Sequence, residues 1–273
     1  MNNIKNLAQL DELVGTAKKN AGASNINSYL LADDLEHSCA SGGIFYEEKP
    51  AGLLVYRELS RVLQLFLYIN PDIPFVVTRK SKPITCELMG MNQPSGKSKK
   101  VVDALVQTGF VLNAASRRMS KRLDSQPLPQ HGSGWRERGL QVCRAGQDQI
   151  KPVLALFEDT FDPIKADLPS ADELVGLIEV GQLLYVPGEC GDIAGALQVE
   201  VTEQASWSRH YAVRPRERGK SIGRALSVEY HRLAAEKGSK VLYLWVFEES
   251  AALFHSHFGY DFDGRFLEQY LLE

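Results

Sequence analysis

Cysteine is scarce in this chain, and its members stand far apart. The four thiols, Cys39, Cys86, Cys143 and Cys190, include no pair at metal-ligand spacing. Neither a metal site nor a disulfide framework is therefore expected, and inert thiols in a reducing cytoplasm are the simpler reading. An excess of charge of one sign is missing too. Lysine and arginine number 31 against 34 aspartates and glutamates, a formal net charge of −3. That balance gives no electrostatic case for nucleic acid or an anionic membrane surface as partner. No apolar run approaches the roughly 20 residues a membrane span needs. Residues 1–10 lack the basic start and apolar stretch of a secretory signal. What is present is a globular composition, with 44% hydrophobic and 24% charged residues. At 273 residues the chain has room for one large domain or two ordinary ones.

The first half opens with a short strand and then a helix whose stripe is Leu7, Leu10, Leu13 and Val14. Asn27 or Ser28 is placed to cap a second helix through Leu30, Leu31 and Leu35. Three strand-like runs follow as a meander: 44–47, 53–56 and 62–69. Further strands are expected at 75–77 and 84–88, a helix at 101–107 ending at Gly109-Phe110, and strand again at 111–113 and near Met119. Gly96-Lys97-Ser98 sits between a strand and a helix, but Met91 stands where a phosphate loop needs its first glycine. A solvated turn is the preferred reading there, and nucleotide binding an alternative. Residues 124–134 carry prolines, glycines and polar side chains and almost nothing apolar. They mark a linker over 124–138, between a first domain 1–123 and a second 139–273.

The second half restarts the pattern. A strand is expected at 140–144 and a helix at 149–159. Ser170-Ala171-Asp172-Glu173 reads as a capping box opening the next helix. A hairpin at 183–186 and 193–199 precedes a strand over 210–213. After the stretch considered next come a strand at 240–247, a helix at 250–258 ending in Gly259-Tyr260, and two short terminal strands at 260–262 and 266–271.

The most informative stretch runs from Tyr211-Ala212-Val213 through Arg214-Pro215-Arg216-Glu217-Arg218-Gly219-Lys220-Ser221-Ile222-Gly223-Arg224 to Leu226. Pro215 stops the strand because it has no N–H for a ladder, and Ile222, Leu226, Tyr230 and Leu233 recur at helical spacing. A basic, glycine-bearing loop that enters a helix offers unpaired N–H groups and the positive dipole end, a ready phosphate site. The plainer alternative is a charged strand-to-helix turn. Arg218-Gly219-Lys220-Ser221-Ile222-Gly223 resembles the Arg/Gln-x-x-Gly-x-Gly/Ala loop of the GNAT acetyltransferase superfamily, with Ser221 where the first motif glycine stands. The second half resembles the superfamily from Leu140 to Glu273; the first half looks like a degenerate copy without the glycine loop, with an unrelated α+β domain as the alternative, and is expected to build the far wall of the acceptor cleft.

The resemblance implies an α+β fold of two similar lobes, each a central mixed, mostly antiparallel sheet flanked by helices. It implies an acetyl-CoA-dependent N-acetyltransferase acting on a primary amine of a small molecule or peptide by direct attack in a ternary complex. The N–H groups across Arg218, Gly219, Lys220, Ser221, Ile222 and Gly223 would take the pyrophosphate, with Arg224 adding positive charge beside them as a further cofactor-binding residue. The strand edge at Tyr211, Ala212 and Val213 would pair with the pantetheine amides. The family's usual tyrosine acid falls on His255, a candidate general acid, while His257 points elsewhere around the helix. Asparagine in many relatives is Glu248 here, a candidate base, with Glu249, Glu200 and Glu203 as alternatives. The lost tyrosine and asparagine leave a non-catalytic acyl-CoA-binding protein as the second reading, and a homodimer stays open.

Overall fold

The computed structural model describes residues 1–21, 27, 38–78, 81–91, 97–123 and 139–273, without the side chains of residues 21, 97, 98 and 190. The expected helix at 28–35, the linker 124–138 and the Gly96-Lys97-Ser98 loop chemistry lie outside the described residues. The chain forms two compact units. One comprises Met1–Arg117 with Gly264–Glu273, the other Arg118–Asp263. The division is not at a single point in sequence, because two long strands each pass from one unit into the other.

The first unit holds β1 (Asn2–Asn3), α1 (Leu7–Ala21), β2 (Ile44–Lys49), β3 (Gly52–Glu58), β4 (Leu63–Ile69), β5 (Ile84–Met91) and α2 (Lys97–Gln107). It also takes the start of β6 (Val111–Arg122) and most of β12 (Asp261–Leu272). Strands β2, β3 and β4 make the expected antiparallel meander. Every residue of β4 is buried, which is why it reads as one apolar run rather than an alternation. Val101 and Leu105 of α2 pack with Leu65, Leu67, Cys86 and Tyr270 on one face of the sheet. Leu10 and Ala17 of α1 pack with Val55, Phe66 and Tyr68 on the other.

Strand β5 is parallel to β4 over three pairs only, from Leu63↔Ile84 to Leu65↔Cys86. Where the two strands part, the side chain of Asn27 stands between them. Its amide donates to the Leu67 carbonyl at 2.9 Å and accepts from the Leu67 N–H at 2.7 Å. Its backbone bridges to Leu88 of β5. The first unit thus satisfies its own open strand edge with an internal amide. Residues 75–77, expected as a strand, are irregular. Pro74 next to them has no N–H to give a ladder, yet Phe75 and Val77 are still buried in the core.

The second unit contains the end of β6, β7 (Cys143–Arg144), α3 (Ile150–Thr160), α4 (Ala171–Glu179), β8 (Leu183–Pro187), β9 (Ile193–Val201) and β10 (Ala205–Val213). These are followed by α5 (Ile222–Lys237), β11 (Val241–Val246), α6 (Glu249–Ser256) and the first residues of β12. Its strand order is β6-β11-β10-β9-β8-β7. Helix α5 covers one face through Ile222, Leu226 and Tyr230 against Leu197, Val199 and Leu244. Helices α3 and α4 cover the other, with Phe157 and Leu174 against Ala196 and Ala212. The expected capping box opens α4: Ser170 Oγ accepts from the Glu173 N–H at 3.2 Å, and Glu173 Oε2 accepts from the Ser170 N–H at 2.6 Å.

The two short terminal strands expected near the end are one strand, β12, because Gly264 takes a φ of +82° and lets the ladder continue through a position other residues would resist. Likewise β6 is one strand through a polar stretch. Its charges have partners: Arg118 bonds Asp263 at 2.7 Å and Lys121 donates to the Phe258 carbonyl at 2.7 Å. No helix among the described residues is long and apolar enough to cross a membrane.

Candidate cofactor site

Strand β10 has a neighbour along its whole length on one side and along only part of it on the other. It pairs antiparallel with β9 from Ser206↔Val201 to Val213↔Gly195. It pairs parallel with β11 only from Ala205↔Val241 to Ser208↔Leu244. From Arg209 to Val213 the edge that faces away from β9 has no strand partner among the described residues. A register shift between Ser208 and Tyr211 places one extra residue in β10, a bulge that alters side-chain alternation. Arg209 and His210 both turn to the face of Glu200 and Gln198, at 2.8 and 2.7 Å. Tyr211 returns to the α5 face.

The open edge leads directly into the basic loop. Pro215–Glu217 form a single 3₁₀ turn. Gly219 follows at φ +78°, and Ser221, the residue before α5, sits at φ 68°, ψ 11°. Ser221 is the one non-glycine with positive φ among the described residues. The serine therefore adopts the left-handed backbone that a glycine would take more cheaply. Two left-handed residues two apart, followed by a helix start, turn several N–H groups to the same side. Among the described residues no acceptor meets the N–H groups of Gly219, Ser221, Ile222, Gly223 and Arg224. This is the arrangement that receives an anion.

Of the nearby cations, Arg216 bonds Asp192 at 2.7 Å and Lys220 bonds Glu217 at 2.9 Å. Arg214 bonds both Asp192 and the Ile193 carbonyl, at 2.6 and 2.7 Å, which ties the loop to the β8–β9 turn. The Ile193 N–H, followed by these two arginines, holds the Asp192 carboxyl below its usual range. Arg218 is exposed and leans on the Val213 carbonyl at 3.4 Å. Arg224 is exposed and makes no ion pair among the described residues. These two are the cations left for a ligand.

The glycines have different reasons. A Cβ at Gly219 would meet nothing within 4 Å, so only its φ demands glycine. A Cβ at Gly223 would lie 3.2 Å from the Tyr211 hydroxyl and 3.4 Å from Phe254. A side chain at 223 would thus crowd the packing beneath the loop. Tyr211 donates to the Gly223 carbonyl and meets Ser227 Oγ at 3.0 Å. Burial raises its phenol above the usual range. The tyrosine therefore bolts the open strand edge to the first turn of α5. Ala212 is buried against α3, and Val213 packs toward Ile222.

His255 of α6 lies 8% exposed, with its ring 5.7 Å from those of Tyr211 and Tyr260 and 5.0 Å from that of Phe254. Burial pushes its pKa down to about 4. The expected imidazolium acid with a pKa near 6.5 is not what this environment offers; at neutral pH the ring is neutral, and its N–H is a hydrogen-bond donor. Glu248 is exposed, occupies the N-cap position of α6 and accepts from the Ser250 hydroxyl at 3.2 Å. Of its alternatives, Glu200 is held by Arg209, while Glu203 and Glu249 are exposed. His257 is exposed and not beside Tyr211.

Two features were missed from sequence. His210 is wedged between Phe157 and Phe161, with ring centroids 5.5 and 5.7 Å away, and meets Gln198 through Nδ1 at 2.7 Å. Burial, and then the neighbouring Arg209, lower its pKa to about 4. A histidine beside a bulge leaves no periodic signal. Arg118 lies 4.2 Å from the ring centroid of Tyr243, which stacks on Trp207 at 4.7 Å. Among the described residues no group of three or more histidine, cysteine or acidic side chains comes together as a metal site would require.

Comparison of the coordinates with solved structures identifies the architecture. A GCN5-related N-acetyltransferase from Sphaerobacter thermophilus aligns over 95% of this chain and 90% of its own, with TM-score 0.57 at 14% identity. A Drosophila protein aligns over 97% and 96%, with TM-score 0.57 at 13% identity. The GCN5-related glucosamine N-acetyltransferase region of a fungal multi-domain β-N-acetylglucosaminidase gives TM-score 0.59 at 14% identity over 81% of this chain, which spans only 31% of the fungal one. A tandem GNAT protein of clavulanic acid biosynthesis gives 0.51 at 13% identity over 82% of this chain and 79% of its own. The fold is that of the GCN5-related N-acetyltransferases, in a two-unit form. No family model matches the sequence. No curated protein matches it either.

Proposed function

We propose that the second unit binds acetyl-CoA and transfers its acetyl group to a primary amine of a small molecule or peptide. The observation that carries this reading is the continuity of two features. An unpaired strand edge, Arg209–Val213, runs into a loop whose N–H groups at Gly219 and Ser221–Arg224 have no acceptor among the described residues. A long ligand with amides at one end and phosphates at the other fits both. Acetyl-CoA supplies an activated thioester; transfer forms a C–N bond, breaks the C–S bond, releases the thiol and moves one proton from nitrogen to sulfur overall.

The chain's own groups divide that work. Backbone groups of Tyr211, Ala212 and Val213 on the open edge hold the amides and present an N–H to the carbonyl oxygen. Arg218 and Arg224 add charge beside the phosphate cradle. His255, neutral in its buried site, lends an N–H to the departing sulfur. Glu248 receives the amine proton, through water, from its exposed place at the start of α6. Thiol release with an amine panel tests this. Acetyl-CoA turnover dependent on a primary amine supports it, and binding without turnover across the panel transfers support to the second reading. That reading, an acyl-CoA-binding protein without catalysis, is favoured by one observation: the position of the family's acid holds a histidine that stays neutral near neutral pH.

A further inference from the structure

Glu87 is the one acidic residue of β5, a strand flanked on both sides by β4 and β12. It is half-buried and makes no ion pair among the described residues. Two amides approach its carboxylate. Gln64 Nε2 reaches Oε2 at 3.5 Å, and Gln269 Nε2 reaches Oε1 at 3.3 Å. Both are long for N–H···O hydrogen bonds, which run at about 2.7–3.2 Å. Gln269 is in turn fixed by Asn113, whose Nδ2 donates to Gln269 Oε1 at 2.8 Å. Gln64, Glu87, Gln269 and Asn113 therefore form a polar row across four neighbouring strands of the first unit.

The row has an unfilled acceptor. Gln64 is 8% exposed, and its Oε1 has no hydrogen-bond partner among the described residues. That atom belongs to the same amide that touches Glu87. An orphaned buried acceptor and a half-buried carboxylate without a counter-charge are each costly. Their juxtaposition leaves three oxygens, Glu87 Oε1 and Oε2 and Gln64 Oε1, all short of donors. The nearest cation in register, Arg57 opposite Gln64, donates through Nε to Ser38 at 3.2 Å. In the second unit the parallel ladder of β10 and β11 carries the stacked rings of Trp207 and Tyr243 under Arg118.

We propose that this row is a binding site for a primary ammonium group, whose three N–H donors and positive charge match three oxygen acceptors and the negative charge of Glu87. The site lies in the unit that lacks the glycine loop, and it does not rest on acetyl transfer by the other.

The test is titration of the full chain with ethanolamine at fixed ionic strength, followed by the side-chain amide NMR signals of Gln64 and Gln269. Ethylene glycol and tetramethylammonium serve as controls. Saturable shifts with ethanolamine alone are expected, weakened at least tenfold in Glu87→Gln. Gln64→Met, which removes the orphaned acceptor without altering charge, gives the same loss and carries the test if Glu87→Gln fails to fold. No shift with ethanolamine, an equal shift with ethylene glycol (a hydroxyl or water site only), an equal shift with tetramethylammonium, or undiminished binding in a folded Glu87→Gln protein overturns the proposal.

Discussion

Replacing Tyr211 by phenylalanine removes one oxygen from the second unit and leaves its packing volume. In the native protein that oxygen donates to the Gly223 carbonyl and stands 3.0 Å from Ser227 Oγ, whose residue is 4% exposed. With one proton on the phenol, the consistent arrangement is Ser227 donating to Tyr211 and Tyr211 donating to Gly223. A net hydrogen bond is worth about 1 kcal/mol, and a buried group left without its partner costs about 1–3 kcal/mol. Ser227 has an escape, since a helical serine can turn to the carbonyl four residues before it, which is Gly223 itself. The expected loss for Tyr211→Phe is therefore about 1–2 kcal/mol. At roughly 2–4 °C per kcal/mol for a unit of this size, the melting midpoint falls by about 2–8 °C. Because the same bonds fix the proposed phosphate loop to the strand edge, the expected affinity for acetyl-CoA falls by about 3–10-fold, or roughly 0.7–1.4 kcal/mol. Thermal denaturation and calorimetric titration of Tyr211→Phe, Ser227→Ala and the double variant form a mutant cycle. Strict additivity, or a Tyr211→Phe protein with native stability and affinity, refutes the reasoning.

Other expectations follow from the same coordinates. His255 and His210 have pKa values near 4 in the folded chain, against about 6.5 unfolded. The unfolded chain thus binds more protons between those values, and stability falls as pH drops from about 6.5 to 4, by up to roughly 3 kcal/mol for each. Denaturant melts of His255→Phe across that window should show a shallower acid dependence, and an unchanged slope contradicts the burial argument. Ser221→Gly relieves a left-handed serine and should raise stability by about 0.5–1 kcal/mol without loss of acetyl-CoA affinity; a fall in melting midpoint counts against strain at that position. Asn27→Ala exposes the Leu67 N–H, so its amide exchange should quicken, with a stability loss of about 1–3 kcal/mol, while calorimetry still counts one acetyl-CoA per chain. Unchanged Leu67 exchange, or a second cofactor in the native chain, contradicts the role given to Asn27.

The loop was readable because its demands are local. A proline that ends a strand, glycines and a basic run, and the 3.6-residue spacing of Ile222, Leu226 and Tyr230 all report on neighbours in sequence. The meander and the capping box at Ser170 are legible for the same reason. What could not be read depends on distant partners. The continuity of β12 rests on Gly264 taking a positive φ within a ladder, and Gly264 alone reads as a turn. The depression of the His255 pKa comes from rings at Tyr211, Phe254 and Tyr260, only some of which are near it in sequence. The amide of Asn27 meets Leu67 across 40 residues, and as a sequence letter it reads as a helix cap. Gly223 was legible as necessary but for an incomplete reason, since the crowding comes from Tyr211 and Phe254 beneath the loop.

The central claim is that the loop from Arg218 to Arg224 holds the pyrophosphate of acetyl-CoA. Calorimetric titration of acetyl-CoA into the native chain and into Arg218→Glu with Arg224→Glu tests it most directly, because both side chains are exposed and neither forms an ion pair among the described residues, so the fold should survive their reversal. One bound cofactor in the native chain and at least tenfold weaker binding in the reversed variant are predicted. No binding to the native chain, or equal affinity in the two, contradicts the account.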